Sequence, residues 1–446
     1  MTYLIEGKKF KIITQGCRTN QYEGEAIVAQ LENKGAIYDE LNPEIVIIVT
    51  CTITSVADRK CRKLIRRLRR ENEKALIIAV GCYAQKMTNE EREELGLDII
   101  VGNRLKYRIS DLIEEYYEED GEPLIETLPD YLMPKIKSWD KLTLDRPRLH
   151  TRAFLKVQDG CNHFCSYCIV PYVRGNPVSR DIGEAIDEAK KIVSSGCPEL
   201  ILTGVHLGLY DKLPELIEKV SKIDGLKRLR FGSIEPFAVD ETLLKVLADS
   251  EVFCKHLHMP LQNGDDEILK TMKRGYTSAQ YAKIVENVRK HLGEQTHIST
   301  DLMIGFAGED DNSFTNSMNF IKEMKFGKIH VFPYSPREGT EASHFELPKE
   351  SIVTERVKEA LQTAEELHKT YCTSWIGKKN EILVEENENG IIKGLTPEYV
   401  RVMAKVSNAE ISSTQKVIPE KYHDGILLQG EFTEIGEKDK DFSQIL

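Results

Sequence analysis

The sequence predicts an α/β protein in three parts: an N-terminal doubly wound parallel sheet, a central partial (β/α)6 barrel and a C-terminal small β-barrel. Three observations carry this. Over the first hundred residues, continuous apolar runs alternate with polar helical stretches, the pattern of parallel strands covered on both faces. A second alternating series of six runs follows an irregular stretch. After Trp375 short β-type runs with Gly and Asn turns take over, without a helical period.

In the first series, "KFKIITQG" precedes a helix expected from about Tyr22 to Lys34, "EIVIIVTCT" precedes "ADRKCRKLIRRLRREN", "ALIIAVGC" precedes "NEEREELG", and "DIIVGN" closes the set. In such sheets ligands gather beyond the carboxyl ends of the strands. Cys17, Cys51 and Cys82 each stand at that end of a different strand, so the three are expected to meet at one edge. From Leu112 to His150 the acidic "EEYYEEDGEP" and prolines 129, 134 and 147 show no period, which predicts a linker laid across a domain boundary. The second series offers the strands "AFLKVQ", "ELILTGV", "KRLRFGS", "CKHLHMP", "HISTDLMI" and "KIHVFPY". Helices are expected between them at about 181–195, 211–223, 240–249, 264–292 and 312–325, and a long helix near 347–371 ends the unit. Six such strands close only part of a barrel, and polar residues cluster at their carboxyl ends, where barrel enzymes keep their sites. The last part, "KNEILVEENENGIIKGLTPEYVRVMAKV" and "GILLQGEFTEI", is the expected small β-barrel.

The chain has 446 residues, 41% hydrophobic and 30% charged, which suits two or three soluble globular domains. "EIVIIV" and "ALIIAV" are far short of a bilayer span and "MTYLIEGKKFKI" lacks the apolar core of a signal peptide, so a cytoplasmic protein without a membrane partner is expected. There, ten cysteines are thiols, and clustered ones point to metal or redox chemistry. A net charge of −11 argues against a uniformly basic nucleic-acid binder and leaves room for a local basic patch.

"DGCNHFCSYCIVPYVRG" places Cys161, Cys165 and Cys168 within eight residues. A structural zinc needs four closed ligands; no nearby Cys supplies the fourth, and His163 is wedged between two of the three. An iron–sulfur cluster also normally takes four cysteines, so a cluster on three keeps one iron with an exchangeable position. Cys17, Cys51 and Cys82 taken alone also read as buried apolar thiols.

The CxxxCxxC run, with Tyr167 before its last Cys, resembles the signature of radical S-adenosylmethionine enzymes. With it, "TQGCRTNQYEGE", "VTCTITSVADRK", "VGCYAQ", "FGSIEPFAVD", "HMPLQNGDDEILKTMKRGYT", "TDLMIGFAGED" and "HVFPYSPREGT" make the chain similar, nearly end to end, to the methylthiotransferases of that superfamily. The resemblance implies two [4Fe-4S] clusters. Cys161, Cys165 and Cys168 would hold the one that binds S-adenosylmethionine and yields a 5′-deoxyadenosyl radical, and Cys17, Cys51 and Cys82 an auxiliary one that presents sulfur. It also implies a reducing electron donor such as flavodoxin and, in an OB-like terminal barrel of the TRAM type, a grip on the tRNA anticodon stem-loop. The implied division is 1–119 for the methylthiotransferase N-terminal domain, 120–146 for a linker, 147–374 for the radical core and 375–440 for the TRAM domain. "TCTITSVADRKCRKLIR" is similar to the branch that acts on threonylcarbamoyl-adenosine. Other branches act on isopentenyl-adenosine or on a ribosomal-protein aspartate, and a non-catalytic iron–sulfur RNA sensor is the rival from another class.

Several side chains are candidate cofactor contacts. Tyr167 precedes the last Cys; Thr203, Gly204 and His206 end the second barrel strand, where the family receives the methionine moiety. Ser233 and Glu235 follow the third strand and Gln262 the fourth, a set suited to ribose and adenine, although a surface loop explains any one of them. Arg174 and Arg180 flank the cysteine loop as candidate clamps for a carboxylate or phosphate, or as ordinary surface arginines. His258 and His330 read as core histidines, and Cys61, Cys197, Cys254 and Cys372 as structural thiols.

In the helix after Cys51, Cys61, Leu64, Ile65 and Leu68 form an apolar face, opposite a run of Arg59, Lys60, Arg62, Lys63, Arg66, Arg67, Arg69 and Arg70. Such a run is either a solvated face or a phosphate-binding surface. The terminal barrel is the departure: from Trp375 to Gly436 it has seven Lys/Arg against ten Asp/Glu, without the basic excess expected of an RNA grip. Tyr399, read as a strand residue, is either core or a base-stacking platform.

Overall fold

Strands β1 (Lys9–Thr14), β2 (Ile37–Tyr38), β3 (Ile45–Thr50), β4 (Leu76–Gly81), β5 (Ile99–Val101) and β6 (Leu124–Glu126) form one parallel sheet in the order β2-β1-β3-β4-β5-β6. The computed structural model describes residues 3–128, 133–135, 137–406 and 409–430. Pro129, the expected run "EFTEI" and the expected domain limit at residue 440 lie outside them. β3 and β4 are buried at every residue because both faces are covered. Ile45, Ile47 and Val49 share a core with α1 (Arg18–Asn33), while Val46 and Ile48 share one with Cys61, Ile65 and Leu68 of α2 (Ser55–Glu71). This is the alternation of a doubly wound sheet.

Helices α3 (Asn89–Leu95) and α4 (Ile109–Glu118) complete the N-terminal unit. Two boundaries differ from expectation. Helix α1 starts at Arg18, not near Tyr22: Thr19 and Asn20 are polar and so carry no apolar period, yet both are buried. The stretch read as irregular from Leu112 contains α4, whose Ile109, Leu112 and Ile113 are buried, and β6, which pairs with β5 and carries the sheet to Glu126. Acidic side chains on the outer face of α4 mask its period. Beyond it the chain lies against α1: Leu142 and Leu144 are buried, and the Tyr22 hydroxyl donates to the Leu142 carbonyl (3.0 Å).

The central unit has six parallel strands, β7 (Ala153–Asp159), β9 (Glu199–Gly204), β10 (Arg228–Phe231), β11 (His256–His258), β12 (His297–Ile304) and β13 (Lys328–Pro333), with a short antiparallel β8 (Val178–Ser179) beside β7. They form the sheets β10-β9-β7-β8 and β11-β12-β13, joined by a Leu229–Phe253 bridge into a partial barrel. Around it run α5 (Val170–Arg174), α6 (Ile182–Ser194), α7 (Leu213–Val220), α8 (Glu241–Asp249), α9 (Asp266–Thr271), α10 (Ser278–Leu292), α11 (Asp311–Met324) and α12 (Glu350–Thr373). The single helix expected at 264–292 is two. Lys273 and Gly275 take φ of 58° and 75°, and Thr277 opens α10 with a capping box to Gln280.

The C-terminal strands β14 (Asn380–Glu388), β15 (Ile391–Leu395), β16 (Arg401–Lys405), β17 (Thr414–Val417), β18 (Lys421–His423) and β19 (Ile426–Gln429) form a sheet ordered β17-β14-β15-β16-β19-β18, curled into a half-barrel over Ile382, Val384, Ile392, Val402 and Leu427. The turn between β15 and β16 is pressed against the central unit. Arg228 donates to the Leu395 carbonyl (2.7 Å), Arg230 to that of Pro397 (2.9 Å) and His297 to that of Glu398 (2.6 Å). Tyr399 sits in this turn at φ 63°, not in a strand, and stacks on His256 at 4.6 Å instead of presenting that face to a base.

Candidate active site

Cys51 and Cys82 directly follow β3 and β4, and Cys17 is the extended residue that starts α1, so the first triplet lies at one sheet edge. Gly16 makes this approach possible: at φ +98°, a Cβ there would stand 2.7 Å from Cys51 Cβ and 2.8 Å from its Sγ. Asn20 ties the loops by donating to the carbonyls of Gln15 (2.7 Å) and Thr50 (3.0 Å). Arg174, from α5, reaches across: Nε donates to Cys82 Sγ (3.2 Å), Nη2 to Asn20 Oδ1 (2.7 Å), and Nη1 to Glu23 (3.0 Å) and Asp159 (3.1 Å). Behind it, Glu23 also takes Lys106 (2.5 Å) and Lys156 (2.7 Å). Burial alone would raise the carboxyl of Glu23, but Arg174, Lys106 and Lys156 outweigh it and hold it well below the usual range.

The second triplet follows β7. Gly160, at φ +75°, lies so close to the loop between α5 and β8 that a Cβ would be 2.1 Å from the Asn176 carbonyl. The Cys161 N–H donates to the Gly175 carbonyl (3.0 Å), and the Cys168 N–H to that of Cys165 (3.0 Å). Burial pushes the Cys161 thiol up to about 11 and that of Cys168 up to about 12. Arg274 stands beside this loop, 3.6 Å from Cys165 Sγ, 3.5 Å from the Tyr167 hydroxyl and 2.6 Å from Glu235. His163 is turned elsewhere: its ring stacks on Phe237 (5.4 Å) and bonds the Arg274 carbonyl (3.2 Å).

A cavity of about 580 Å³ joins the two halves. Cys17, Cys51, Cys82 and Arg174 line one side, and Thr203, Gly204, Ser233 and Glu235, at the carboxyl ends of β9 and β10, line the other. Tyr167 and Gln262 line an adjoining cavity of about 350 Å³ that shares Ile53 and Asp301 with the first. His206 is not among the residues lining either cavity: its ring lies 5.4 Å from that of Phe237, and its two buried nitrogens, like Gln262 Oε1, have no hydrogen-bond partner among the described residues. Arg180 is not brought to the cavity; it pairs with Glu188 (2.8 Å) and lies over Trp139. Arg174 is there, but its guanidinium is committed to the first triplet and to Glu23 and Asp159.

Sequence reasoning missed Arg18, Asn20, His258, Asp301 and His330, all of which line the cavity, and Arg274 beside it. A signal existed: His258, Asp301 and His330 are polar strand residues that period 2 sets on the face opposite their apolar neighbours Leu257, Leu302 and Ile329.

The donor sets suit polynuclear sulfur-bound groups on their chemistry. Each triplet combines three thiols with a guanidinium beside one sulfur, Arg174 at Cys82 and Arg274 at Cys165, a donor beside sulfur that would serve a sulfur-bound anionic group. The orphaned Gln262 Oε1 in the adjoining cavity suits a polar nucleoside ligand. Among the described residues, no three His, Cys, Asp or Glu are drawn together to hold a single metal ion, so this fit rests on the donors and their neighbours.

On the outer side of the N-terminal unit, α2 exposes Arg59, Lys60, Lys63, Arg66, Arg67 and Arg70. Arg69 is structural, bonded to Asp98 and to the Gly96 (2.8 Å) and Ala75 (3.0 Å) carbonyls. Arg66 pairs with Glu94 of α3 (2.5 Å), so carboxylates from outside the helix temper the run. No helix among the described residues is long and apolar enough to cross a membrane.

Comparison with known proteins places these features. The model of the radical SAM superfamily matches residues 155–321, and that of uncharacterized protein family UPF0004 matches residues 9–102. The chain is 35% identical over 421 residues to threonylcarbamoyladenosine tRNA methylthiotransferase MtaB of Bacillus subtilis (strain 168), covering 91% of this chain and 92% of that protein. It is also 35% identical over 419 residues to tRNA-2-methylthio-N(6)-dimethylallyladenosine synthase of Clostridium novyi (strain NT), covering 88% and 89%. Among solved structures, the radical S-adenosylmethionine methyltransferase TsrM from Kitasatospora setae shares the fold with a TM-score of 0.59 at 14% identity, covering 76% of this chain and 77% of that one.

Proposed function

Because this chain belongs to the radical S-adenosylmethionine methylthiotransferases that act on tRNA, we propose that it adds a methylthio group to carbon 2 of N6-threonylcarbamoyladenosine at position 37 of the anticodon stem-loop. One observation carries the reading: the thiols of Cys17, Cys51 and Cys82 and the strand-end groups Thr203, Gly204, Ser233 and Glu235 share one cavity. Cys17, Cys51 and Cys82 would hold one [4Fe-4S] cluster at the cavity wall, and Cys161, Cys165 and Cys168, on the loop after β7 beside Arg274, would hold the other, the one that binds S-adenosylmethionine. When bound, these groups supply a 5′-deoxyadenosyl radical, a sulfur species and, from a further S-adenosylmethionine, the methyl group.

The chain's own residues position and shield. Thr203 and Gly204 receive the methionine moiety, Ser233 and Glu235 the ribose, and the unpartnered Gln262 Oε1, in the adjoining cavity, a remaining polar group of the cofactor. Arg274 fixes Tyr167 and Glu235 beside Cys165. The buried strands β3, β4 and β7 behind the triplets limit the access of water to a reactive radical from that side. The terminal half-barrel takes part of the RNA, a flavodoxin-type protein supplies electrons, and the work is done in the cytoplasm, where both partners are found.

The test is anaerobic. Reconstituted protein, given a reductant and S-adenosylmethionine, is expected to convert a stem-loop bearing threonylcarbamoyl-adenosine to its 2-methylthio form, read by nucleoside mass spectrometry, with release of 5′-deoxyadenosine. Conversion only of an isopentenyl-adenosine loop or of a ribosomal-protein aspartate would overturn the substrate, and no 5′-deoxyadenosine would overturn the enzyme.

A further inference from the structure

Identity does not separate the two tRNA substrates, since relatives named for each are 35% identical to this chain. The cavity wall formed by β11, β12 and β13 carries the polar groups on which such a choice could turn. His258 is the register partner of Ser299, and Asp301 that of His330, so the side chains of His258, Asp301 and His330 meet on adjacent strands facing the cavity. His258 is fully engaged: Nδ1 bonds Ser299 Oγ (3.0 Å) and Nε2 bonds Asp301 Oδ2 (3.3 Å). His330 stands edge-on to it at 5.7 Å and makes no hydrogen bond among the described residues. Burial holds its pKa at about 3, so it offers a neutral N–H to the cavity.

The charges around it are unbalanced. Arg18 donates to the carbonyls of Phe231 and Gly232 and to the Tyr399 hydroxyl, and Lys328 lies two residues before His330 on the same strand face. Both act electrostatically on His330, and neither has a carboxylate at ion-pair distance among the described residues. Asp301 is the carboxylate of this wall, and His258 already takes one of its oxygens. Arg18 and a free N–H at the cavity, against one shared carboxylate, make an anion subsite in a protein whose net charge is −11; Lys328 lies behind them, outside the cavity lining, where burial lowers its pKa. An apolar isopentenyl chain placed here would leave those groups desolvated and unpaired, a cost that rejects it.

We infer that this wall is a subsite for the carboxylate and hydroxyl of an amino-acid substituent on N6 of the target adenine, with His330 as its specificity-determining residue. The inference rests on the proposed function and names how that substrate is chosen. Arg18 supplies charge for the carboxylate, the His330 N–H a directed bond to it, and the second oxygen of Asp301 an acceptor for the hydroxyl.

The experiment uses the full, anaerobically reconstituted chain and three stem-loops of one sequence, carrying adenosine, isopentenyl-adenosine or threonylcarbamoyl-adenosine at position 37. Binding is read by fluorescence anisotropy. The wild-type protein is expected to prefer the threonylcarbamoyl loop over the adenosine loop by about tenfold; His330→Leu should bring that ratio to within about twofold, and His330→Gln, which keeps a donor, should restore most of it. An unchanged ratio in His330→Leu, or equal weakening of both loops, overturns the subsite. So does loss of 5′-deoxyadenosine release by His330→Leu without RNA, which gives the wall to the cofactor. Wild-type preference for, and conversion of, the isopentenyl loop is a different failure and takes the proposed function with it.

Discussion

Arg174 Nε lies 3.2 Å from Cys82 Sγ. This hydrogen bond joins the helix that follows the second cysteine triplet to the first triplet, and the same guanidinium holds Glu23 of α1 and Asp159 of β7. The two triplets are thus positioned by one buried cation. A guanidinium suits the task because its fork of donors serves a sulfur, an amide oxygen and two carboxylates at once.

Arg174→Leu is therefore expected to be among the most destabilising single changes. It leaves Glu23 and Asp159 buried with fewer cations, a loss of about 3–5 kcal/mol for a broken buried pair. Urea unfolding should show a lowered midpoint. Both carboxyls are held below their usual range, so their contribution is present above the unfolded carboxylate pKa and is lost as pH falls through the lower folded values. The gap between wild type and variant should narrow on acidification, and a gap independent of pH would count against the ion network.

Tyr399 gives a second titration, at alkaline pH. Burial would push its phenol up, but Arg18, Arg152 and Arg230 outweigh that and bring it down to about 8 from 10.0. Between those values the unfolded chain keeps a proton that the folded one has released, so the stabilisation grows as pH rises through this window and is lost as pH falls through about 8. A tyrosinate absorbance step near that pH is expected, absent from Tyr399→Phe, which should also lose the alkaline gain in melting temperature.

The architecture is legible where a single physical pattern dominates. "IVIIVT" and "LIIAVG" read as buried parallel strands because every residue is apolar or small, with one threonine, and the sheet rule then sends Cys51 and Cys82 to one edge. The start of α1 is not legible, because Thr19 and Asn20 are buried for the loops they tie and not for apolar burial. Arg174 and Arg180 look alike in sequence; only the fold shows that one meets Cys82 and the other Glu188. His258 and His330 read as core residues because a strand histidine gives no clue to its neighbours, whereas pairing β12 with β13 sets Asp301 beside His330.

The basic face of α2 yields a prediction about salt. Lys63→Glu, Arg66→Glu, Arg67→Glu and Arg70→Glu together should weaken binding of the anticodon stem-loop and reduce the slope of log affinity against log salt by about one for each phosphate that is no longer neutralised. Arg69 is left intact because it braces Asp98 and the loop before β4. A wild-type slope in the quadruple variant would return α2 to a solvated surface.

The two triplets should load iron separately, because their thiols come from different units and different loops. Cys17 starts α1, while Cys161 follows β7 and is tied to the Gly175 carbonyl. Cys17→Ala removes one thiol from the first set without touching that loop, and Cys161→Ala does the reverse. Each variant, reconstituted anaerobically, is expected to retain about half of the wild-type iron and sulfide, and the double variant little of either. Only Cys17→Ala should still release 5′-deoxyadenosine from S-adenosylmethionine, because that chemistry is assigned to the second triplet. Loss of all iron from either single variant would mean that the sets form one cooperative site, and the separate roles argued for them would fall.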